Sequence, residues 1–234
     1  MGHFFCTNVS QQSFDFIVWH GIALCKVSLR CAKFTVRTAK LCDYDFCGIP
    51  VSCVMADGGK GVTVAVLDTG LDYYHTAFST ENFTSDTLGM TFSDVEGFVG
   101  DTVAADKQAG LTASDVYIST KVPYGFDYAD GDADVFPIQS DHGTHVAGVI
   151  AGKDDVITGV APNAQLAIMK IFSDIEDTAR TSWILAALED CVTIGVDVIN
   201  MSIGTACGFS RETDEEAVGG VFDKIREAGI SMIV

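Results

Sequence analysis

Basic residues are scarce in this sequence: 14 lysines and arginines stand against 32 aspartates and glutamates, a formal net charge of −18. A surface with this balance repels polyanions, so nucleic acid and anionic membranes are not expected as partners. The chain also lacks the roughly 18–20 residue apolar run that a membrane-spanning helix needs, because Asp15 and His20 interrupt its most apolar early stretch. No basic segment precedes this apolar stretch and no clear cleavage site follows it, so the sequence does not predict a secretory signal peptide there.

Charged residues are also few, at 20% of 234 positions, whereas 48% are hydrophobic. This composition excludes a disordered chain, and the length suffices for one sizeable α/β domain or two small ones. Six of the eight cysteines lie before residue 54, where five basic residues meet three acidic ones, in contrast to the strongly acidic remainder. No Cys-x-x-Cys pair completes a zinc site there, so we predict that residues 1–53 are an atypical Cys-rich extension without a defined domain. A small disulfide or metal module is the alternative.

From residue 58 onward, apolar β-type runs alternate with helical patterns. The predicted strands cover 62–67, 164–172, 196–202 and 230–234. The predicted helices cover 183–194, capped by Thr181 and Ser182, and 212–228. This order implies right-handed crossovers and therefore a parallel β-sheet flanked by helices. Between 71 and 140 the pattern is weaker, and we expect an insertion at about 79–138 that runs over the surface.

Two motifs carry the candidate chemistry. Asp68-Thr69-Gly70 directly follows the first apolar strand, the position at which parallel sheets bind ligands. The segment His142-Gly143-Thr144-His145-Val146-Ala147-Gly148 begins a predicted helix whose small residues allow close packing. His142 and His145 lie one turn apart and could bind a metal ion, but the glutamate that zinc-protease motifs place between two histidines is missing. We therefore interpret His145 as a packed structural histidine.

Together the two motifs resemble the subtilisin-like serine proteases, the subtilases, in which the catalytic Asp, His and Ser follow one another in this order. Gly159-Val160-Ala161-Pro162 and Asn200-Met201-Ser202-Ile203-Gly204 are similar to further segments of that family. The long gap between the two motifs and the segment 121–134 resemble the lactocepin-like cell-envelope proteinases of Gram-positive bacteria. The resemblance covers about 58–234, and it implies a subtilisin-like three-layer α/β sandwich.

The same resemblance implies a serine-type endopeptidase with a polypeptide substrate. Asp68 would orient the His142 ring, and His142 would take the proton from a serine hydroxyl as that hydroxyl attacks a peptide carbonyl. Ser202, Ile203 and Gly204 would hold an extended substrate as an added β-strand. An extracellular or cell-wall location follows from the resemblance alone.

The nucleophile motif of the family, Gly-Thr-Ser, does not occur in the 234 residues, and Gly204-Thr205-Ala206 lacks the hydroxyl. We therefore expect 54–234 to be the N-terminal portion of a peptidase domain, truncated at its C-terminal side and inactive by itself. A non-catalytic peptide-binding or degenerate subtilase-fold domain is the alternative. Nucleotide binding is rejected, because the glycines at 58–61 precede the first strand, whereas a phosphate loop follows it.

No cofactor is required for this chemistry, but a structural calcium ion is conceivable. Asp130, Asp132 and Asp134 alternate, and Asp141 stands at the twelfth position counted from Asp130, in a pattern similar to a calcium loop. Val135 occupies the sixth position, where such loops place glycine, so a solvated acidic loop is the alternative. Cys191 and Cys207, the only cysteines after residue 53, form either a disulfide or two free thiols.

Overall fold

A computed structural model describes residues 14–17, 24–27, 58–81, 88–176, 178–204 and 212–234. Within the Cys-rich extension, the described part is an antiparallel pair of strands, β1 (Phe14–Ile17) and β2 (Leu24–Val27). Cys25 lies in β2, whereas the other five cysteines of that extension, Thr205-Ala206 and Cys207 lie outside the described residues.

A five-stranded parallel sheet forms the centre of the fold, in the order β4-β5-β3-β6-β7. Its strands are β3 (Thr63–Asp68), β4 (Tyr124–Asp127), β5 (Gln165–Lys170), β6 (Val198–Asn200) and β7 (Ser231–Ile233). All six residues of β3 and all six of β5 are buried, as expected for apolar strands covered on both faces. The predicted parallel sheet is confirmed, and the four predicted strands differ from the observed ones only at their ends.

Helices cover both faces of the sheet, which gives the predicted three layers. They are α1 (Phe92–Phe98), α2 (Val103–Lys107), α3 (Ala113–Val116), α4 (His142–Ala151), α5 (Thr181–Thr193) and α6 (Glu212–Glu227). On one face, α4 packs its buried side against apolar residues of β3, β5 and β6. The other face carries α1, α2, α3, α5 and α6. No helix in the described part of the chain combines the length and apolar character needed to cross a membrane.

The structure of α5 corrects the predicted N-cap and shows the state of Cys191. Thr181 and Ser182 were predicted as caps, but Arg180 is the N-cap residue and the helix already begins at Thr181. Arg180 has extended backbone angles and makes no side-chain capping bond. Cys191 is buried on this helix with a free thiol, and burial raises the pKa of that thiol well above its ordinary value.

The expectation that 79–138 runs over the surface is wrong for its described residues. The segment contributes β4, at one edge of the sheet, and the three short helices α1 to α3. Tyr124, Phe126 and Tyr128 are fully buried, and Tyr128 Oη donates a hydrogen bond to Asp190 Oδ2 of α5 at 2.7 Å. The apolar residues of this segment are dispersed among Asp, Gly, Ser and Thr, so no run is long enough to show a period.

Candidate active site

The side chains of Asp68 and His142 meet at the edge of the sheet where the parallel strands end. His142 Nδ1 lies 2.8 Å from Asp68 Oδ1 and 3.0 Å from Asp68 Oδ2. The Asp68 side chain is only 1% exposed, whereas that of His142 is 48% exposed. A ring that donates its Nδ1 proton to a buried carboxylate has Nε2 as its basic atom, which is the arrangement a general base needs.

Thr69 holds the turn after β3 against the start of α4. Its N–H donates to Asp68 Oδ1 at 2.7 Å, and its Oγ1 donates to the Ser140 carbonyl at 2.8 Å. The same Oγ1 accepts from the Gly143 N–H at 3.0 Å. One hydroxyl therefore connects the residue after Asp68 with the residues on both sides of His142.

Two glycines allow the turn and the helix to approach this closely. A Cβ on Gly143 would lie 2.3 Å from the Gly70 carbonyl oxygen, which is far inside van der Waals contact. Gly70 itself has φ +113°, and a Cβ there would lie 2.4 Å from the Val135 carbonyl oxygen. Both positions require the absence of a side chain, because the neighbouring atoms are backbone atoms that cannot move aside.

The chain matches the family model described as "Subtilase family" over residues 59–234. It belongs to the subtilase family. The predicted family is thereby confirmed, and so is the α/β fold that it implies. The match includes both Asp68 and His142, and their catalytic role stays a prediction.

The curated relatives of this subtilase include a bacterial proteinase and a bacterial peptidase. The chain is 35% identical over 186 residues to the PI-type proteinase of Lactococcus lactis subsp. cremoris. The aligned region covers 75% of this chain but only 9% of that protein. It is 32% identical over 189 residues to the C5a peptidase of Streptococcus pyogenes serotype M18 (strain MGAS8232), covering 76% of this chain and 15% of that protein. The lactococcal match agrees with the predicted resemblance to the cell-envelope proteinase branch.

Solved structures similar to this subtilase are themselves proteases by title. A cold adapted subtilisin-like serine proteinase is 25% identical, with a TM-score of 0.46 over 75% of this chain and 46% of the solved chain. A lanthipeptide protease is 21% identical, with a TM-score of 0.48 over 75% of this chain and 39% of the solved chain.

The interpretation of His145 as a packed histidine is wrong. Its side chain is 69% exposed, and its Nε2 lies 3.7 Å from Oδ2 of Asp141, which is itself 78% exposed. Three residues along an α-helix correspond to a rotation of about 300°, so His142 and His145 diverge by roughly 60°. The buried face of α4 is formed instead by Val146, Ala147 and Ile150.

The predicted substrate-binding segment follows β6, the neighbour of β3. Asn200 ends β6 in register with Val66, two residues before Asp68. Asn200 is fully buried, and its Nδ2 donates to Ser202 Oγ at 2.9 Å. Ile203 is partly buried against the apolar cluster under α5, and Gly204 is exposed. The structure thus places 202–204 at the same sheet edge as Asp68 and His142, one strand away.

Two side chains of the predicted calcium loop bind nearby backbone, and Asp130 binds Ser173 and Asp174 of the loop after β5. Asp132 Oδ1 accepts from the Asp134 N–H, and Asp134 Oδ1 accepts from the Phe136 N–H. Among the described residues, the carboxylates that converge are those of Asp127, Asp130 and Asp174. The predicted set is therefore not assembled, and calcium binding stays a prediction.

Sequence reasoning missed two residues that the structure places at this edge. Asn200 was read only as part of a family segment, although its burial identifies it as an anchor for Ser202. Lys170 was not singled out at all, although it ends a buried six-residue strand and is itself fully buried. The available signal was the position of a lysine at the end of an apolar run, since fully buried lysines are rare unless paired.

Proposed function

We propose that residues 54–234 supply the aspartate and the histidine of a serine endopeptidase site. The observation that carries this proposal is the hydrogen bond between the buried Asp68 carboxylate and Nδ1 of the half-exposed His142. His142 Nε2 accepts the proton of a serine hydroxyl as it attacks the peptide carbonyl, and later protonates the leaving amine. Asp68 holds the required tautomer and stabilises the imidazolium that forms between those two steps.

The nucleophile is not among the groups that we assign to this chain. The family's Gly-Thr-Ser motif does not occur in the 234 residues, so we assign no nucleophilic serine to this chain. The chain alone is therefore inactive in this proposal, and the serine hydroxyl has to come from a further polypeptide segment.

The substrate is a polypeptide bound in extended form beside 202–204. These residues follow β6 without forming part of a helix, and Gly204 presents exposed backbone to a partner strand. Main-chain hydrogen bonds to such a segment hold a peptide in register with little dependence on its side chains. The names of the relatives, PI-type proteinase and C5a peptidase, support proteolysis as the reaction, and we propose a setting outside the cell or at the cell wall.

A non-catalytic peptide-binding domain is the second candidate. The exposed backbone at 202–204 would serve that role equally well. However, a binding domain has no need for a buried carboxylate bonded to a half-exposed histidine, and burying a carboxylate costs free energy unless it is well paired. The retained pair of Asp68 and His142 therefore favours the catalytic proposal.

A chimera tests the proposal. Residues 54–234 are joined to the remaining, downstream part of the subtilase domain of the Lactococcus PI-type proteinase, and hydrolysis of internally quenched peptides is measured. The proposal predicts hydrolysis by the chimera and none by the 234-residue chain. A chimera that is folded by near-ultraviolet circular dichroism but inert contradicts the proposed site, and hydrolysis by the chain alone contradicts the missing nucleophile.

A further inference from the structure

Three charged residues end three adjacent strands at the same level of the sheet. Lys170 at the end of β5 is in register with Asp127 of β4 on one side and with Asp68 of β3 on the other. The exposed fraction of each residue is at most 1%. A buried ammonium is strongly destabilising unless carboxylates and carbonyls surround it, so its contacts indicate what it holds in place.

Carboxylate and carbonyl oxygens surround the Lys170 ammonium as they would surround a bound cation. Its Nζ is 2.5 Å from Asp127 Oδ2, 2.7 Å from the Phe172 carbonyl and 3.2 Å from Asp174 Oδ2, with Asp130 Oδ2 at 3.8 Å. One carboxylate oxygen from each of the three aspartates lies within 4.8 Å of the others. Three carboxylates at this spacing repel one another unless a positive charge lies among them.

The Lys170 ammonium joins the loop after β4, which contains Asp130, to the loop after β5, which contains Asp174. Asp130 accepts from Ser173 Oγ at 2.7 Å and from the Asp174 N–H at 2.8 Å. Partial burial acts to raise the pKa of Asp130, but these hydrogen bonds outweigh it and hold the pKa below its ordinary value. Burial raises the pKa of Asp127, and the contact with Lys170 opposes that effect and favours the ionised carboxylate.

The stem of Lys170 touches the turn that follows Asp68. Lys170 Cδ lies 3.2 Å from the point where a Cβ on Gly70 would stand. The Ile171 N–H also donates to the Asp68 carbonyl at 3.0 Å. The stem of Lys170 therefore lies next to Gly70, two residues after Asp68.

A second connection runs through the segment before His142. Gln139 Nε2 donates to the Asp174 carbonyl at 2.7 Å, which ties the loop after β5 to this segment. The next residue, Ser140, accepts from Thr69 Oγ1, and Thr69 Oγ1 accepts from the Gly143 N–H. The loop held by Lys170 is thus linked to the start of α4 by these hydrogen bonds and by the peptide bond between Gln139 and Ser140.

We propose that Lys170 is a positioning residue for the Asp68–His142 pair, and that its ammonium serves as a built-in cation between the two loops that border the pair. This inference extends the proposed endopeptidase function by naming a residue that acts through Asp68 and His142 without touching substrate. Its prediction concerns the geometry of the pair, which can be measured in the 234-residue chain without any catalysis.

The test follows the His142 Nδ1 proton by NMR in chain labelled with ¹⁵N-histidine. In Lys170→Met the stem is kept and the charge is removed, so the solvent exchange of that proton should accelerate by about tenfold or more, as local opening becomes easier. Millimolar calcium should slow the exchange again in this variant, because Asp127, Asp130 and Asp174 then have room for a metal ion. Lys60→Met, at an exposed lysine, should leave the exchange unchanged.

Gln139→Ala provides a second variant for the case that Lys170→Met does not fold. Gln139 is exposed, so its truncation leaves the core intact, but it cuts the bond to the Asp174 carbonyl and should also accelerate the exchange. A folded Lys170→Met chain with unchanged exchange overturns the inference, as does accelerated exchange that calcium does not reverse. If Lys170→Met does not fold, unchanged exchange in Gln139→Ala overturns it. None of these exchange measurements uses hydrolysis. An inert chimera would therefore refute the proposed function, but it would give none of the exchange results that overturn the inference about Lys170.

Discussion

The absence of a side chain at Gly143 allows α4 to approach the turn after β3, which brings His142 to Asp68. In Gly143→Ala, the added Cβ would overlap the Gly70 carbonyl oxygen, so α4 has to move away from the turn after β3. We expect the free energy of unfolding, measured by urea denaturation, to fall by about 2 kcal/mol or more.

Gly148→Ala on the same helix is the matched control. A Cβ there would meet only Ile157 Cδ1, at 3.8 Å, which is ordinary contact. Since alanine favours a helix over glycine by about 1 kcal/mol, this substitution should be neutral or stabilising. Equal losses in the two variants would show that the close approach at Gly143 is not what the chain depends on.

Lys121 makes the stability of the chain depend on pH. It is 1% exposed, its Nζ donates to the carbonyls of Pro162 and Ala164, and burial lowers its pKa to about 7. The unfolded chain keeps this lysine protonated up to about pH 10.4, so folding releases a proton between these two values. The cost of burying the ammonium is therefore complete below pH 7 and disappears as the pH rises toward 10.4.

Lys121→Met should remove this contribution. The difference in unfolding free energy between wild type and variant should change by at most about 1.4 kcal/mol per pH unit between pH 7 and 10, and should be constant below pH 7. Urea denaturation at a series of pH values measures it, and the exposed Lys60→Met should show no such trend. A constant difference across pH 6 to 10 contradicts the assignment to Lys121.

At the scale of elements, Asp190 joins α5 to the segment that sequence reasoning placed on the surface. Its carboxylate accepts from the N–H groups of Val103 and Ala104, at the start of α2, and from Tyr128 Oη next to β4. Asp190→Ala removes the acceptor that these three donors share inside the fold, which should cost about 3 kcal/mol or more of unfolding free energy.

The neighbouring Glu189 gives a matched control. Its carboxylate forms an exposed ion pair with Lys224 of α6 at 3.0 Å. Glu189→Ala should therefore cost no more than about 1 kcal/mol. If both substitutions cost the same, Asp190 does not connect these elements in the way the structure indicates.

The elements that sequence analysis predicted correctly are those with an uninterrupted pattern. β3 and β5 are runs of six buried residues, and α5 repeats its apolar positions over three turns. β4 has only four residues, one of them Gly125, and no propensity pattern is visible over so short a span. Capping boxes start α1 and α3, at Thr91–Asp94 and Thr112–Asp115. The Thr-x-x-Asp spacing is a local sequence signal for both helix starts.

At the scale of the whole molecule, topology explains which parts of the site could be predicted. Asp68 and His142 are 74 residues apart, and a parallel sheet brings the end of β3 and the start of the helix packed over it to one edge. The motifs named these two residues. Lys170 could not be found in this way, because its role depends on Asp127 at the end of β4 and on Asp130 and Asp174 in two loops, which no single motif groups together.

The central claim is that Asp68 and His142 activate a serine nucleophile. Covalent labelling by a fluorophosphonate measures that activation directly, since the reagent reacts with an activated serine rather than with an ordinary hydroxyl. In the chimera with the PI-type proteinase segment, we predict rapid labelling that falls by about 10³-fold or more in His142→Ala and in Asp68→Asn. Asp141→Asn, at an exposed carboxylate in the same segment, should label like the parent. Equal labelling rates in the parent chimera and in folded His142→Ala would contradict the account.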